Sequence, residues 1–202
     1  PGIVGVATRF EWSLPPGFSA GDVLWPPPQK VLMAGITAYG YKNRTMLLTE
    51  IRTPKTIEGS EVTFNVKCAW MACGTSCHPG VADFSLTLPL NRSETPLAKD
   101  APLAAEFAKV RQSVPRHAPS TWKITPRLPS PDQIQLDLEI PGLTPASLPS
   151  ISFYCYDLQV NSDEAQHPAV LGEGEAETLR LTLVRPDFAP RSPAAISGVL
   201  HC

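Results

Sequence analysis

The chain has 202 residues, with 17 Lys plus Arg against 19 Asp plus Glu, a formal charge of −2. That length fits one large domain or two small ones, and the near-neutral balance excludes the broad basic surface that nucleic acids select, so no nucleic-acid partner is expected. Hydrophobic residues make up 43% and charged residues 18%, enough for a core and too little charge for a disordered chain. No apolar run approaches the roughly 18 residues of a membrane helix. Nor does a basic-then-apolar signal segment open the chain; Pro1-Gly2-Ile3-Val4 reads as the middle of something longer.

Proline is 23 of 202, about twice the ordinary share. It removes a backbone donor and breaks helix interiors, which disfavours a helical protein and favours an all-β one with many turns. Loop signals stand at Pro15-Pro16-Gly17, Pro26-Pro27-Pro28 and Pro79-Gly80. Between them lie runs of period two. Met46 to Arg52 places Leu47, Thr49 and Ile51 on one face. Glu61 to Lys67 sets Val62, Phe64 and Val66 against Glu61, Thr63, Asn65 and Lys67. Asp83 to Leu88 repeats the pattern with Phe84, Leu86 and Leu88. One apolar and one polar face is the pattern of a half-buried antiparallel strand.

From Asp100 to Val114 the period changes. Leu103, Phe107, Val110 and Val114 recur at helical spacing. Asp100 is placed to cap the amino end, Pro102 is tolerated in the first turn, and Pro115 ends the segment. This predicts one amphipathic helix, flanked by the polar stretches Asn91 to Pro96 and Arg116 to Ser120. The β pattern then returns. Gln133 to Ile140 alternates strictly, with Ile134, Leu136, Leu138 and Ile140 on one face. Thr178 to Val184 does so with Leu179, Leu181 and Leu183. Ile151 to Tyr156 and Ala195 to Leu200 complete a second group of strands. The expectation is an all-β chain of two small β-sandwiches joined by a short helix. In chain order these are a first sandwich over 1–95, a linker over 96–117 and a second sandwich over 118–202.

Five cysteines are present: Cys68, Cys73, Cys77, Cys155 and Cys202. Three fall within ten residues, in Cys68-Ala-Trp-Met-Ala-Cys73-Gly-Thr-Ser-Cys77-His78-Pro79. The odd count forbids complete internal pairing. Gly74, Thr75 and Ser76 are turn-prone and would let Cys73 and Cys77 approach, given a suitable Cα separation. A bridge over so short a loop gains little from chain entropy, which suits exchange better than stapling. A plain stabilising disulfide is the bland alternative. A metal site is another: Cys68, Cys73 and Cys77 with the His78 imidazole offer soft ligands for Cu(I) or Zn, with Cu(I) on the three cysteines as the main form of this reading. Cys68 shares parity with Val62, Phe64 and Val66, so it is expected to point inward, which weakens the metal reading. Cys155 shares parity with Ile151 and Phe153 and is expected to be a buried hydrophobe. Trp70 is expected in packing. No cofactor is called for.

The first half resembles the periplasmic amino-terminal region of ScsB-type membrane thiol:disulfide reductases, relatives of the interchange protein DsbD. Four stretches carry the resemblance. Thr8-Arg9-Phe10-Glu11-Trp12-Ser13-Leu14-Pro15-Pro16-Gly17-Phe18 is similar to the family's opening segment. Leu24-Trp25-Pro26 and Tyr39-Gly40-Tyr41 follow. Trp70-Met71-Ala72-Cys73-Gly74-Thr75-Ser76-Cys77-His78-Pro79 is similar to its cysteine motif. The match covers roughly Pro1 to Leu90; the second half matches more weakly, through Ile151-Ser152-Phe153-Tyr154 and Ile196-Ser197-Gly198-Val199-Leu200.

The resemblance implies an immunoglobulin-like domain with Cys73 and Cys77 as its redox pair. Cys77 would form the mixed disulfide and Cys73 would resolve it. Burial points the same way, since the apolar Trp70-Met71-Ala72 is expected to draw Cys73 inward. The Tyr39-Gly40-Tyr41 segment would act as a cap or partner contact. His78 is a candidate for stabilising a thiolate. The implied partners are a thioredoxin-like domain, periplasmic disulfide-bearing proteins and a membrane domain of the same full-length chain. The implied setting is the periplasmic side of a bacterial inner membrane. In that setting the sequons Asn43-Arg44-Thr45 and Asn91-Arg92-Ser93 are chance.

Overall fold

The computed structural model describes residues 3–33, 35–90, 101–171 and 178–202. Asp100, the stretch Asn91 to Pro96 with its sequon, and the Pro1-Gly2 start lie outside the described residues. Among the described residues the protein is all-β apart from one helix and one short 3-10 segment, Pro145–Ser150. In chain order come β1 (Arg9–Ser13), β2 (Ser19–Leu24), β3 (Gln29–Met33), β4 (Ile36–Gly40), β5 (Leu48–Arg52), β6 (Glu61–Cys73) and β7 (Cys77–Pro89). The helix α1 (Ala101–Ser113) follows. Then come β8 (Lys123–Ser130), β9 (Gln133–Glu139), β10 (Ser152–Cys155), β11 (His167–Leu171), β12 (Thr178–Val184) and β13 (Gly198–His201). Every strand pair is antiparallel. Among the described residues, no helix is long and apolar enough to cross a membrane.

The chain separates into two compact units that interleave along the sequence. One comprises Pro1–Gly5, Pro27–Lys42 and Pro115–Cys202, the other Val6–Pro26 and Asn43–Val114. The hairpin β3–β4, which the linear reading kept with the first half, therefore groups with the carboxy-terminal strands. Its attachments explain why. The Thr37 N–H donates to Asp163 Oδ1 at 2.7 Å, and Ser162 Oγ donates to the Thr37 carbonyl at 2.8 Å. Tyr39 meets Tyr154 edge-on, with ring centroids 5.0 Å apart.

In the unit holding the carboxy terminus, the core is built by the two runs whose alternation is strictest. A four-stranded sheet runs in the order β11-β12-β9-β8, and β10 pairs with β13. Ile134, Leu136 and Leu138 of β9 and Leu179, Leu181 and Leu183 of β12 are buried with Ile151, Phe153, Cys155 and Val160. The strands β8 and β11 escape a periodicity reading because Pro126, Pro129 and Pro168 interrupt them. They are the two edges of that sheet, where a missing N–H can face solvent.

Asp137 is the exception on the polar face of β9. It is buried, and its carboxylate accepts two hydrogen bonds from Arg180, at 2.6 and 2.8 Å, and one from Arg127 at 2.7 Å. Hydrogen bonding from Arg180 holds this carboxyl below the ordinary aspartate range. The folded state thus binds the Asp137 proton more weakly than the unfolded chain. The resulting stability is present above the unfolded carboxylate pKa and is lost as pH falls through the folded one. Asp137→Asn should cost about 2 kcal/mol at neutral pH. It should also flatten the fall in stability below about pH 4, as measured by urea denaturation at a series of pH values. An acid limb as steep in the variant as in the wild type would contradict this assignment.

The other unit contains the three-stranded sheet β1-β6-β7 and the pair β2-β5. Phe18, in the loop after β1, meets Phe64 of β6 edge-on at 5.4 Å. The helix forms where its periodicity predicts, with Pro102 in the first turn, but Leu103 and Phe107 are exposed. It groups with this unit rather than standing between two domains. Arg44 makes a two-pronged contact with Glu106 at 2.8 and 3.2 Å; both side chains are solvated, so the pair adds little.

Candidate redox site at the tip of a hairpin

The strands β6 and β7 form one long hairpin with unbroken register, from Glu61 opposite Pro89 to Cys73 opposite Cys77. The third strand, β1, pairs with β6 only over Asn65 to Ala69. Beyond Ala69 the hairpin therefore continues as a two-stranded ribbon, and its last pair is the two cysteines. Cys73 and Cys77 are disulfide-bonded across that pair, with Cα atoms 4.1 Å apart. Gly74, Thr75 and Ser76 close the tip, and the Gly74 N–H donates to the Ser76 carbonyl at 2.9 Å.

Both sulfur-bearing residues are exposed. This corrects the expectation that Trp70-Met71-Ala72 draws Cys73 toward a core. Those residues lie past the end of β1, where there is no third strand to pack against. Trp70 itself is partly exposed and lies over Gly80 of the facing strand; a Cβ at Gly80 would run into the indole. Its role is to cover the ribbon rather than to fill a core. Pro79-Gly80, expected as a turn, lies inside β7 opposite Met71 and Trp70. An edge strand tolerates the missing N–H of Pro79, and Gly80 leaves the space that Trp70 fills.

His78 is exposed, and its Nε2 lies 2.7 Å from Ser76 Oγ. Adjacent residues of a strand point to opposite faces, so this contact sits across the ribbon from the Cys77 side chain. The sequence marks Ser76 only as a turn residue; its contact with His78 is a finding of the structure, and their two-residue spacing was the available signal.

Cys68 sits on β6 between Phe10 of β1 and Ala82 of β7. It is 9% exposed, as its parity predicts, and burial raises its thiol pKa. Five residues of extended strand separate it from Cys73, about 16 Å, and odd spacing puts the two on opposite faces. The three sulfurs do not converge, and among the described residues no group of three His, Cys, Asp or Glu is placed to hold a metal ion. The proposed Cu(I) set of Cys68, Cys73 and Cys77 is thus corrected by the strand geometry. Cys155 is buried as expected, but is not merely a hydrophobe: its Sγ lies 2.7 Å from Asp157 Oδ1, and burial pushes its thiol up to about 11. Cys202 is exposed and unbonded.

Tyr39, Gly40 and Tyr41 belong to the other compact unit. Tyr39 is buried against Tyr154, and desolvation pushes its phenol up to about 12. Gly40 ends β4, where an added Cβ would press on Val31 Cγ2 at 3.1 Å. Tyr41 is half-buried, and burial pushes it to about 12 as well.

Comparison with known proteins agrees with the motif reading. Residues 5–89 match the family described as thiol:disulfide interchange protein DsbD, N-terminal. No curated protein matches the chain. Among solved structures, the N-terminal periplasmic domain of ScsB from Proteus mirabilis has a similar fold, with a TM-score of 0.61 and 20% identity, over 99% of this chain and 74% of that one. The stretch 5–89, which holds the disulfide hairpin, is thus similar to the DsbD amino-terminal family, within a chain whose fold is similar to that of the periplasmic domain of ScsB.

Proposed function

We propose that this protein is a periplasmic thiol–disulfide exchange module that relays electrons through Cys73 and Cys77. The observation that carries the reading is the exposed disulfide at the tip of a ribbon that projects past its sheet. A bridge spanning three residues contributes little chain-entropy stabilisation, and its exposure leaves the sulfurs open to an attacking thiolate.

The chemistry is two successive exchanges. A thiolate of a dithiol protein attacks Cys77 Sγ; the Cys73–Cys77 bond breaks, a mixed disulfide forms, and Cys73 leaves as a thiolate that takes up a proton. The second thiol of the donor gives up its proton and attacks the mixed disulfide. The donor then holds the disulfide, and Cys77 is released as a thiol. Two electrons and two protons have moved to this protein. In the outward half-cycle Cys77 attacks a substrate disulfide and Cys73 resolves it by the same steps.

The family resemblance supports a thioredoxin-like domain as donor, oxidised periplasmic proteins as acceptors and a membrane domain in the same full-length chain. It also supports a cap or partner-contact role for Tyr39, Gly40 and Tyr41. His78 is proposed to favour the Cys77 thiolate through its charge when protonated, rather than by direct contact.

Redox titration of the Cys73–Cys77 pair, read by thiol trapping and mass spectrometry, tests the proposal. A potential between about −120 and −270 mV, the range of exchange proteins, is expected. A potential below about −300 mV would make the bond a structural staple and remove the exchange reading.

A further inference from the structure

The strand that carries Cys77 also carries an apolar stripe that its sheet leaves uncovered. Phe84, Leu86 and Leu88 of β7 are 54%, 56% and 41% exposed, although their alternation predicts a half-buried face; Val81, on the opposite face, is 64% exposed. The reason is position. β7 is the outer strand in the order β1-β6-β7 and, among the described residues, pairs only with β6, so no described strand lies along its other backbone edge.

Natural edge strands are usually blunted by lysines, bulges or brevity. β7 has none of these. It is 13 residues long, its register with β6 has no shift, and it holds no Lys or Arg. Proline stands near each end, at Pro79 and Pro89, and from Gly80 to Leu88 no proline interrupts the outer edge. Asp83 is the one carboxylate in that stretch, on the polar face beside Lys67.

We propose that the outer edge of β7, from Gly80 to Leu88, docks the protein that exchanges with Cys73–Cys77 by accepting an extended apolar segment of it as an added strand. This rests on the exchange reading above. Strand addition of this kind draws affinity from backbone hydrogen bonds and specificity from alternate side chains. Reach supports the assignment. Phe84 lies seven residues from Cys77, about 23 Å along the strand, within the roughly 30 Å diameter of a small domain held at the sulfur. Charge also favours a foreign strand over a second copy. Two copies paired antiparallel about Phe84 would bring their Asp83 carboxylates to about 7 Å on one face. A partner strand with Lys or Arg at that position satisfies Asp83 instead.

Reduction of the oxidised protein by thioredoxin, as a dithiol protein probe, and by dithiothreitol tests the docking surface. Leu86→Lys places a charge on an exposed position and should leave the fold intact; Phe84→Ser is the second variant. Thioredoxin should react faster than dithiothreitol with the wild type. Each variant should lower the thioredoxin rate about tenfold, the scale of one lost apolar side-chain contact, and leave the dithiothreitol rate unchanged. Equal thioredoxin rates in wild type and variants would overturn docking at β7, as would a wild type that thioredoxin reduces no faster than dithiothreitol does. A wild type that sediments as a dimer and a Leu86→Lys variant that sediments as a monomer would assign the edge to a second copy and overturn the proposal too. Resistance of the wild-type disulfide to dithiothreitol would instead remove the exchange reading itself.

Discussion

Cys73→Ser is expected to accumulate a covalent complex with a thioredoxin-like protein through Cys77, and Cys77→Ser to accumulate little. Catalytic turnover should fall to background in both, because a dithiol–disulfide cycle needs both sulfurs. In Cys73→Ser the Cys77 thiolate attacks the disulfide of the oxidised partner and the mixed disulfide forms, while Cys73, the neighbouring thiol that would resolve it, is gone. Non-reducing electrophoresis with mass spectrometry of the linked peptides reads the result. The order of attack rests on the family resemblance and on the polar His78-Pro79-Gly80 stretch beside Cys77. Burial does not contribute, since both cysteines are exposed at the tip. A complex that builds up in Cys77→Ser would reverse the assignment of attacking and resolving sulfurs while leaving exchange in place. Equal trapping in both variants would show that the ribbon presents the two sulfurs equivalently.

The second large effect lies in the core of the other unit. Leu181 is 0% exposed and sits between Leu136 of β9 and Pro168 of β11 in the sheet register. Leu181→Ala removes its outer side-chain carbons and leaves a cavity that a close-packed interior closes only in part. The expected cost is about 3 kcal/mol. Urea denaturation followed by circular dichroism should show a lower midpoint for the transition of this unit. A loss under about 1 kcal/mol would mean that the site collapses freely, contrary to the packing described. Leu183 of the same strand is equally buried, and Leu183→Ala should show a loss of similar size.

Much of this protein is legible in its sequence. The strict alternation of Gln133 to Ile140 and Thr178 to Val184 corresponds to β9 and β12, the two strands that build the core. The helical spacing of Leu103, Phe107 and Val110 corresponds to α1. The parity of Cys68 with Val62 and Val66 placed its thiol inside, and the turn-prone Gly74-Thr75-Ser76 lies between two bonded cysteines. Each of these follows from local geometry: a period of two or 3.6 determines which side chains share a face, and a three-residue loop determines which residues end opposite each other.

Other features depend on neighbours remote in sequence. Alternation groups Phe84, Leu86 and Leu88 on one face, but only the strand order makes β7 an edge and leaves that face open. Trp70-Met71-Ala72 is apolar, yet Cys73 stays exposed because β1 stops pairing at Ala69. Pro79-Gly80 and the prolines of β8 and β11 read as breaks, and become strand residues because those strands are edges. Tyr39 joins the carboxy-terminal strands through Tyr154, across more than a hundred residues. Asp137 looks like one more polar residue of an alternating strand until Arg127 and Arg180 enclose it. By itself the sequence determined the all-β class and the strict core strands, and its turn-prone Gly74-Thr75-Ser76 allowed Cys73 and Cys77 to approach. Only the tertiary structure decided what covers each face, because coverage is set by which distant strands come to lie alongside, and no local period encodes that.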